Sequence, residues 1–517
     1  MRRMRGTILF LALAFLGACF FNSPGEVIAK EKVLVVGDYT TLRTLDPAFV
    51  GQGQDIMLCR VIYQSLLRYK FNTAEIEGDL AKSWTISKDG LVYTFKLRDD
   101  VYWHKGFGKF TAHDVKYTFD RVLDPKTGAP ARSEIVLEVK EVVVIDDYTI
   151  EFRLKKPCVP FLHKLVGPRG TAIVNQKAVE KFGKDYMRNP IGTGPFIFES
   201  WTREQCVLVA NKDFKQREGP PKIDKVIYKL VPDVDAQHMA LQKGDIDLIW
   251  VLPRDRAILD RLKAAGCKIT PVERPAFQNL FMNNKAKPFD DVRVRRAIAH
   301  AIDKDTLIKY VLSGMGERMD SPVPQGFVGH TLDGVPFYEY SPKKAKALLA
   351  EAGYPNGFEV NFDTFNSPSY LPLATAIAEQ LRQVNITANL VVTDQATWWG
   401  KLSKGTTNFT LVLPSLQPDA DFPMMRHYHS AAFSPGLNVT KYDQIDDLIE
   451  KARSELDEKK RLEYYRQIQV KMMEDVPAVP LILMGYPVAR RPHIAGIAEK
   501  EYIWGCDIYP MHFVKDK

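Results

Sequence analysis

Cysteine is scarce in this chain, six in 517 residues, and no two of them form a CxxC pair. That spacing argues against structural zinc and against thioredoxin-like redox chemistry. No run of Lys and Arg is interleaved with aromatics, and a formal charge of +8 is too mild an excess to point to nucleic acid. No apolar stretch reaches the ~20 residues that a membrane-spanning helix needs. G-x-S-x-G, H-E-x-x-H and G-x-x-x-x-G-K-[ST] are all missing, so hydrolase, metalloprotease and P-loop readings lose their usual signatures. Gly192-Thr193-Gly194-Pro195 reads as a turn in a strand context and not as a phosphate loop. Asp and Glu are abundant, but no pair stands out as a glycosidase couple. Internal repeats and low-complexity tracts are also lacking. The expectation is a protein that is not an enzyme and that carries neither cofactor nor resident metal.

What is present begins at the N-terminus. Arg2, Arg3 and Arg5 precede an uncharged stretch from Thr7 to Phe21, followed by Pro24 and the small-residue ending Val27-Ile28-Ala29, the pattern of a secretory leader. Residues 1–29 carry those three arginines and Glu26, a net +2, so the remainder carries +6. Leu16-Gly17-Ala18-Cys19 offers a second reading, a lipobox that would tether the protein to a membrane through Cys19. Five cysteines follow it, Cys59, Cys158, Cys206, Cys267 and Cys506, which allow at most two disulfides and one free thiol, in a pairing that spacing does not give. A chain this long exceeds what one hydrophobic core supports, so at least two lobes are expected.

Along the chain, KVLVVGDY from Lys32 reads as a short buried strand, and the helix after it carries Ile56, Val61 and Ile62 on one side. Tyr93, Phe95 and Leu97 alternate with polar residues, as do Ile150, Phe152 and Leu154, the period of half-buried strands. Thr111-Ala112-His113-Asp114 is a capping-box-like helix start. A helix over Asp235–Lys243 stops at Gly244 and is followed by the strand DIDLIW. Ser341-Pro342 opens another helix that ends at Gly353. Helices are also predicted over Thr375–Val384 and Asp446–Glu474, with a strand over Ile386–Val392. Such mixing is α/β without the regular period of a dinucleotide-binding sheet.

The most specific segment is DDVRVRRAIAHAIDKDTLIKYVL, Asp290 to Leu312, with the loop GMGERMDSPVPQGFVG behind it. Val294, Ala297, Ile298, Ala301, Leu307, Ile308 and Val311 lie at helical spacing, leaving Arg295, Arg296 and Lys304 for the polar side. Together with NPIGTGPFIFESW, this segment resembles the signature of the bacterial extracellular solute-binding proteins of family 5, which serve ABC importers of peptides, nickel and other solutes. The resemblance covers nearly the whole mature chain. It implies a two-lobed periplasmic-binding-protein fold of the class II, cluster C type, with three domains and a hinge. The matching limits are residues 30–66, 188–283 and 485–517 for domain I, 67–187 for domain II and 284–484 for domain III. A monomer in the periplasm is implied, handing its solute to membrane permeases driven by cytoplasmic ATPases.

The candidate site residues follow from chemistry and from the resemblance together. Trp398 and Trp399, in DQATWWGKL, cannot both bury in the same face of an extended or irregular segment, which makes them the tryptophans expected to line a ligand site instead of the core. By resemblance, Trp398 matches a pocket-lining tryptophan of oligopeptide-binding relatives. Asp419, in Leu416-Gln417-Pro418-Asp419, matches the carboxylate that holds a peptide's α-ammonium group, with Leu416 where those relatives have tryptophan and Asp421 as a rival one step along the pattern. A closed site would make an unpaired carboxylate strongly unfavourable, by about 3–5 kcal/mol, and so demand a cation; the competing reading makes Asp419 a solvated turn residue of PDADFP. Phe49-Val50-Gly51-Gln52 is expected to approach the ligand backbone from the first lobe. Residues 363–372 lack the arginine with which dipeptide-specific relatives hold a C-terminal carboxylate. The expected cargo is a peptide; the alternatives are nickel or a metallophore, an opine-like amino acid derivative, or an oligosaccharide. His427-Tyr428-His429 would put two imidazoles on one side of an extended segment, a metal half-site with no third ligand at a diagnostic distance.

Overall fold

The structure, a computed structural model, describes residues 31–132, 138–251, 256–367, 369–413, 417–503 and 507–514. The leader with Cys19, and Leu416, Trp504 and Cys506, lie outside the described residues. Two long strands, Lys268–Met282 and Ala478–Arg490, run antiparallel side by side through the middle of an eleven-stranded sheet. On one side of this pair lie Leu248–Trp250, Val33–Asp38, Lys225–Leu230, Gln205–Ala210 and Phe196–Trp201; on the other lie Phe409–Val412, Phe358–Phe365 and Ile386–Thr393.

Midway, the pairing slips. Glu273 faces Gly485 and Phe277 faces Leu483, so one strand takes four steps where its partner takes two. Extra residues in one strand of a pair bend it and interrupt the ladder. The hydrophobic cores divide at the same place: Val272 and Val488 belong to the first, whereas Ala276, Phe277, Leu483 and Tyr486 belong to the second. These two strands therefore form the hinge between two lobes.

In the first lobe, the segment after Pro190 crosses the end of the helix Gly53–Ile62 at very short range. A Cβ on Gly192 would sit 1.9 Å from the Ile62 carbonyl oxygen, and one on Gly194 would sit 2.4 Å from that of Val61. Glycine is required for this approach, and the Gly194 amide donates to Ile62 O at 2.9 Å. A separate four-stranded antiparallel sheet packs onto this lobe, burying Tyr93, Phe95, Leu97, Ile150, Phe152 and Leu154 as their alternation predicts. Thr111 and Asp114 form the reciprocal capping box of the helix Ala112–Leu123.

The signature segment departs from a single amphipathic helix. The helix Val292–Ala301 stops at Ile302, and Asp303 caps a new turn by accepting from the Thr306 amide at 3.0 Å. Arg295 and Lys304 are buried, 6% and 4% exposed, and not solvated. The Arg295 guanidinium donates to the carbonyls of Asp475, at 2.6 and 2.9 Å, and of Phe289, at 2.7 Å. Arg296 binds the Glu474 carbonyl. Both arginines thus satisfy the orphan carbonyls ending the helix Glu458–Asp475, where cations also suit its dipole. Lys304 Nζ donates to Met319 O and pairs with Asp320.

No cysteine among the described residues is bridged: Cys59, Cys158, Cys206 and Cys267 are free and buried. His427 ends the helix Asp421–His427, with Nδ1 3.3 Å from Leu437 O, and His429 caps the next turn by accepting from the Ala431 amide. The segment is not extended, and the two rings serve separate backbone contacts. We predict that Arg295→Ala lowers the unfolding free energy by about 3 kcal/mol, because buried carbonyls lose a charged donor. Arg296→Ala, at the exposed edge, should cost less than about 1 kcal/mol. Urea titration of both variants checks this; equal losses would refute the role given to Arg295.

Candidate functional site

A cavity of about 550 Å³ lies between the lobes. The first lobe contributes Asp38, Gly51, Gln52, Tyr69 and Arg169 to its wall, and the second contributes Tyr370, Trp398, Trp399, Gln417 and Tyr486. Asp38, Trp250 and Phe365 each end a strand that has a parallel neighbour, and all three face the cavity. Ligand sites of open α/β sheets lie off the carboxyl ends of strands for this reason: the chain turns away there and leaves a crevice.

Trp398 and Trp399 stand on a helix, Gln395–Lys404, and not on an extended or irregular segment. Asp394 caps it, accepting from the Thr397 amide at 2.9 Å. Neighbouring helical positions point about 100° apart, so the two rings separate in environment. Trp398 is fully buried between Phe365 and Tyr370, with ring centroids 4.9 and 5.3 Å away, and its indole N–H donates to Thr410 Oγ1 at 3.1 Å. Trp399 keeps 38% of its surface exposed. In the early loop, Gly51 and Gln52 line the cavity, whereas Val50 is in the first core and Phe49 lies under the Arg121 guanidinium, 5.8 Å from its ring.

Asp419 is completely buried, so it is not a solvated turn residue. It is absent from the cavity wall, and its charge is already matched by protein. Arg461 Nη2 donates to its two oxygens at 2.8 and 2.7 Å, and the Tyr465 hydroxyl and the Asp421 amide donate to Oδ1 at 3.1 and 2.9 Å. Burial pushes this carboxyl up, but Arg461 and the facing His163 outweigh it and hold the group below its ordinary range. The demand for a cation expected at a closed carboxylate is thus met by Arg461. Asp421 is buried beside it, with its carboxyl raised by burial.

Among the described residues the charges on the cavity wall are Asp38 and Arg169, neither of which pattern or resemblance had marked. Asp38 Oδ1 accepts from the Thr40 amide at 2.8 Å, and burial raises its carboxyl against the pull of those hydrogen bonds. The visible signal for Asp38 was its place at the end of the KVLVVGDY strand. Arg169 stands alone in a loop, and no spacing marks it. Among the described residues no group of three or more His, Cys, Asp or Glu is placed to hold a metal ion, and no helix is long and apolar enough to cross a membrane.

Two lobes on a strand hinge, with a ring-lined cavity between them, define a binding protein that encloses a small solute. The chain belongs to the bacterial extracellular solute-binding proteins of family 5, whose middle-region model matches residues 75–435. It is 30% identical to the "Probable D,D-dipeptide-binding periplasmic protein DdpA" of Escherichia coli K12, over 95% of each chain. Among solved structures, the binding protein MoaA of A. tumefacien R10 in complex with mannopinic acid matches with a TM-score of 0.79 and 30% identity, covering 94% of this chain and all of that one. The ABC transporter-associated periplasmic binding protein DppA of Helicobacter pylori, in complex with the peptide STSA, matches with a TM-score of 0.79 and 28% identity over 93% and 98% of the two chains.

The two tryptophans should separate experimentally. Trp398→Ala removes a fully buried ring and should cost about 3–5 kcal/mol of stability. Trp399→Ala should leave the unfolding midpoint within a degree or two of the parent while reducing the solute retained through purification. Loss of stability in Trp399→Ala, with solute retention unchanged, would take that ring out of the site.

Proposed function

We propose that this protein is the receptor of an ABC importer, exported by its N-terminal leader, which captures short peptides or peptide-like acids between its lobes and delivers them to membrane permeases. It acts as a soluble periplasmic monomer, the lipid-tethered form through Cys19 being the alternative, and returns its solute unchanged. The observation that carries the reading is the interlobe cavity, whose described walls are aromatic and carry the Arg169 guanidinium and the Asp38 carboxylate. Its volume falls within the roughly 300–1,000 Å³ that encloses a single drug-sized molecule, which suits a peptide of a few residues and not a long chain. Trp399 and Tyr370 flank side chains, Gly51 and Gln52 leave room for the ligand backbone, and the Arg169 fork suits a carboxylate. Asp38 is the acid available to an ammonium group.

A second reading, an opine-like amino acid derivative, is favoured by one feature. Asp419 is paired inside the protein, so that carboxylate does not oblige the ligand to carry a free terminal amine. Native mass spectrometry of protein isolated from the periplasm, with bound molecules released and identified, separates the readings. A ladder of short peptides supports the first and a single defined acid the second; a sugar or a metal ion would overturn both. Arg169→Met should weaken retention of either kind of acid about ten- to hundredfold, the span expected for a charge-assisted contact. Undiminished retention would remove Arg169 from the site.

A further inference from the structure

Away from the cavity, the lobes meet again through charged residues that do not line it. The first lobe presents Glu138, Cys158, His163 and Lys164; the second presents Asp419, Asp421, Arg453 and Arg461. Arg453 Nη2 donates to Glu138 Oε1 across the boundary and lies 3.5 Å from Cys158 Sγ. The Arg453 carbonyl accepts from the Val159 amide at 2.9 Å. His163 Nε2 is 3.8 Å from Asp419 Oδ2, and its ring lies edge-on to Phe422. Lys164 holds Glu138 from the other side at 2.8 Å. Glu138, Asp419 and Asp421 are each at most 5% exposed, and Arg453 and Arg461 are 8% and 6% exposed.

Two features set this seam apart from static packing. Each lobe keeps a partial set of partners for itself, Lys164 for Glu138, Arg461 for Asp419 and Arg453 for Asp421, the last at 3.7 Å. Opening would therefore strand no charge. The seam is also joined to the cavity, because Tyr69 lines the cavity and its hydroxyl meets His163 Nδ1 at 3.0 Å, while Gln417 lines it two residues before Asp419.

We propose that this seam is a closure latch, in which Glu138, His163, Asp419 and Arg453 are positioning residues that set solute affinity by holding the lobes together. The proposal rests on the reading of the chain as a receptor that opens and closes. A latch of this kind biases the equilibrium between open and closed forms, and a solute that binds the closed form inherits that bias as affinity.

Cys158 reports on the latch, since its thiol is only 2% exposed and lies in the seam. The test is the rate at which N-ethylmaleimide labels Cys158 in solute-stripped protein, with Cys59, buried in the first core, as internal control, read by peptide mass mapping. Small-angle scattering of the same samples gives the radius of gyration. In Glu138→Gln and in Asp419→Asn, Cys158 should label at least about tenfold faster than in the parent, because each change removes one member of a buried charged set. Cys59 should stay protected, and the radius of gyration should rise. Equal acceleration at Cys59 and Cys158 would make the seam ordinary structural glue, and unchanged labelling with unchanged size would make it a bystander; either overturns the latch. The measurement needs no solute, so a failed latch leaves the receptor reading standing, and a failed search for bound solute leaves the latch standing.

Discussion

The whole molecule turns on one pair of strands. Lys268–Met282 and Ala478–Arg490 belong to both lobes, and the ladder between them is interrupted where Glu273 and Phe277 face Gly485 and Leu483. A strand pair resists sliding because register is tied to which face each side chain occupies, yet a bulge concentrates bending at one place. The ladder slips a second time between Gln278 and Asn279, so the stretch from Glu273 to Asn279 is where this shared pair is least regular. The rings of the cavity and the charges of the seam lie on the two lobes that this pair joins, up to hundreds of residues apart in sequence.

Electrostatics then divides the interface into two regions of different kind. Around the cavity the described walls are largely aromatic, with Asp38 and Arg169 as their charged residues, so much of the surface a solute meets costs little to desolvate. In the seam the charges are many and lie in ion pairs with one another. Asp419 illustrates the difference: an isolated carboxylate at the same depth would call for a cationic ligand, but with Arg461 Nη2 on both of its oxygens, a hydroxyl and a backbone amide, its hydrogen-bonding capacity is largely used.

Local elements were legible in the sequence wherever a short-range rule applied. The Thr111 capping box, the Ser341-Pro342 start and the Gly244 stop each rest on hydrogen bonds within a few residues, and the structure contains them. The two lobes and the family were legible too, through length and the signature segment. What stayed hidden was set by partners far along the chain. Arg295 and Lys304 occupy helical positions that read as solvated, and only the helix end near Asp475 and the loop at Asp320 draw them inside. Trp398 and Trp399 were misassigned to irregular chain because the Asp394 cap in DQAT went unrecognised. Arg169 and Asp38 share a wall with Tyr370 and Trp399, a juxtaposition that no spacing in the sequence encodes.

A receptor that must release its cargo has reason to close on ion pairs and not on a greasy seam. Apolar surface gains roughly 25 cal/mol for each Å² it hides, so a broad hydrophobic seam would shut the lobes whether or not a solute were present. Buried ion pairs behave otherwise, because the cost of stripping water from the charges largely offsets their attraction. Since Glu138, Asp419 and Asp421 each retain a cation of their own lobe when the boundary parts, the open state is not heavily penalised either. In the latch proposed above, the seam therefore adds a modest bias toward closure, and a solute held in the interlobe cavity adds its own contacts to that bias.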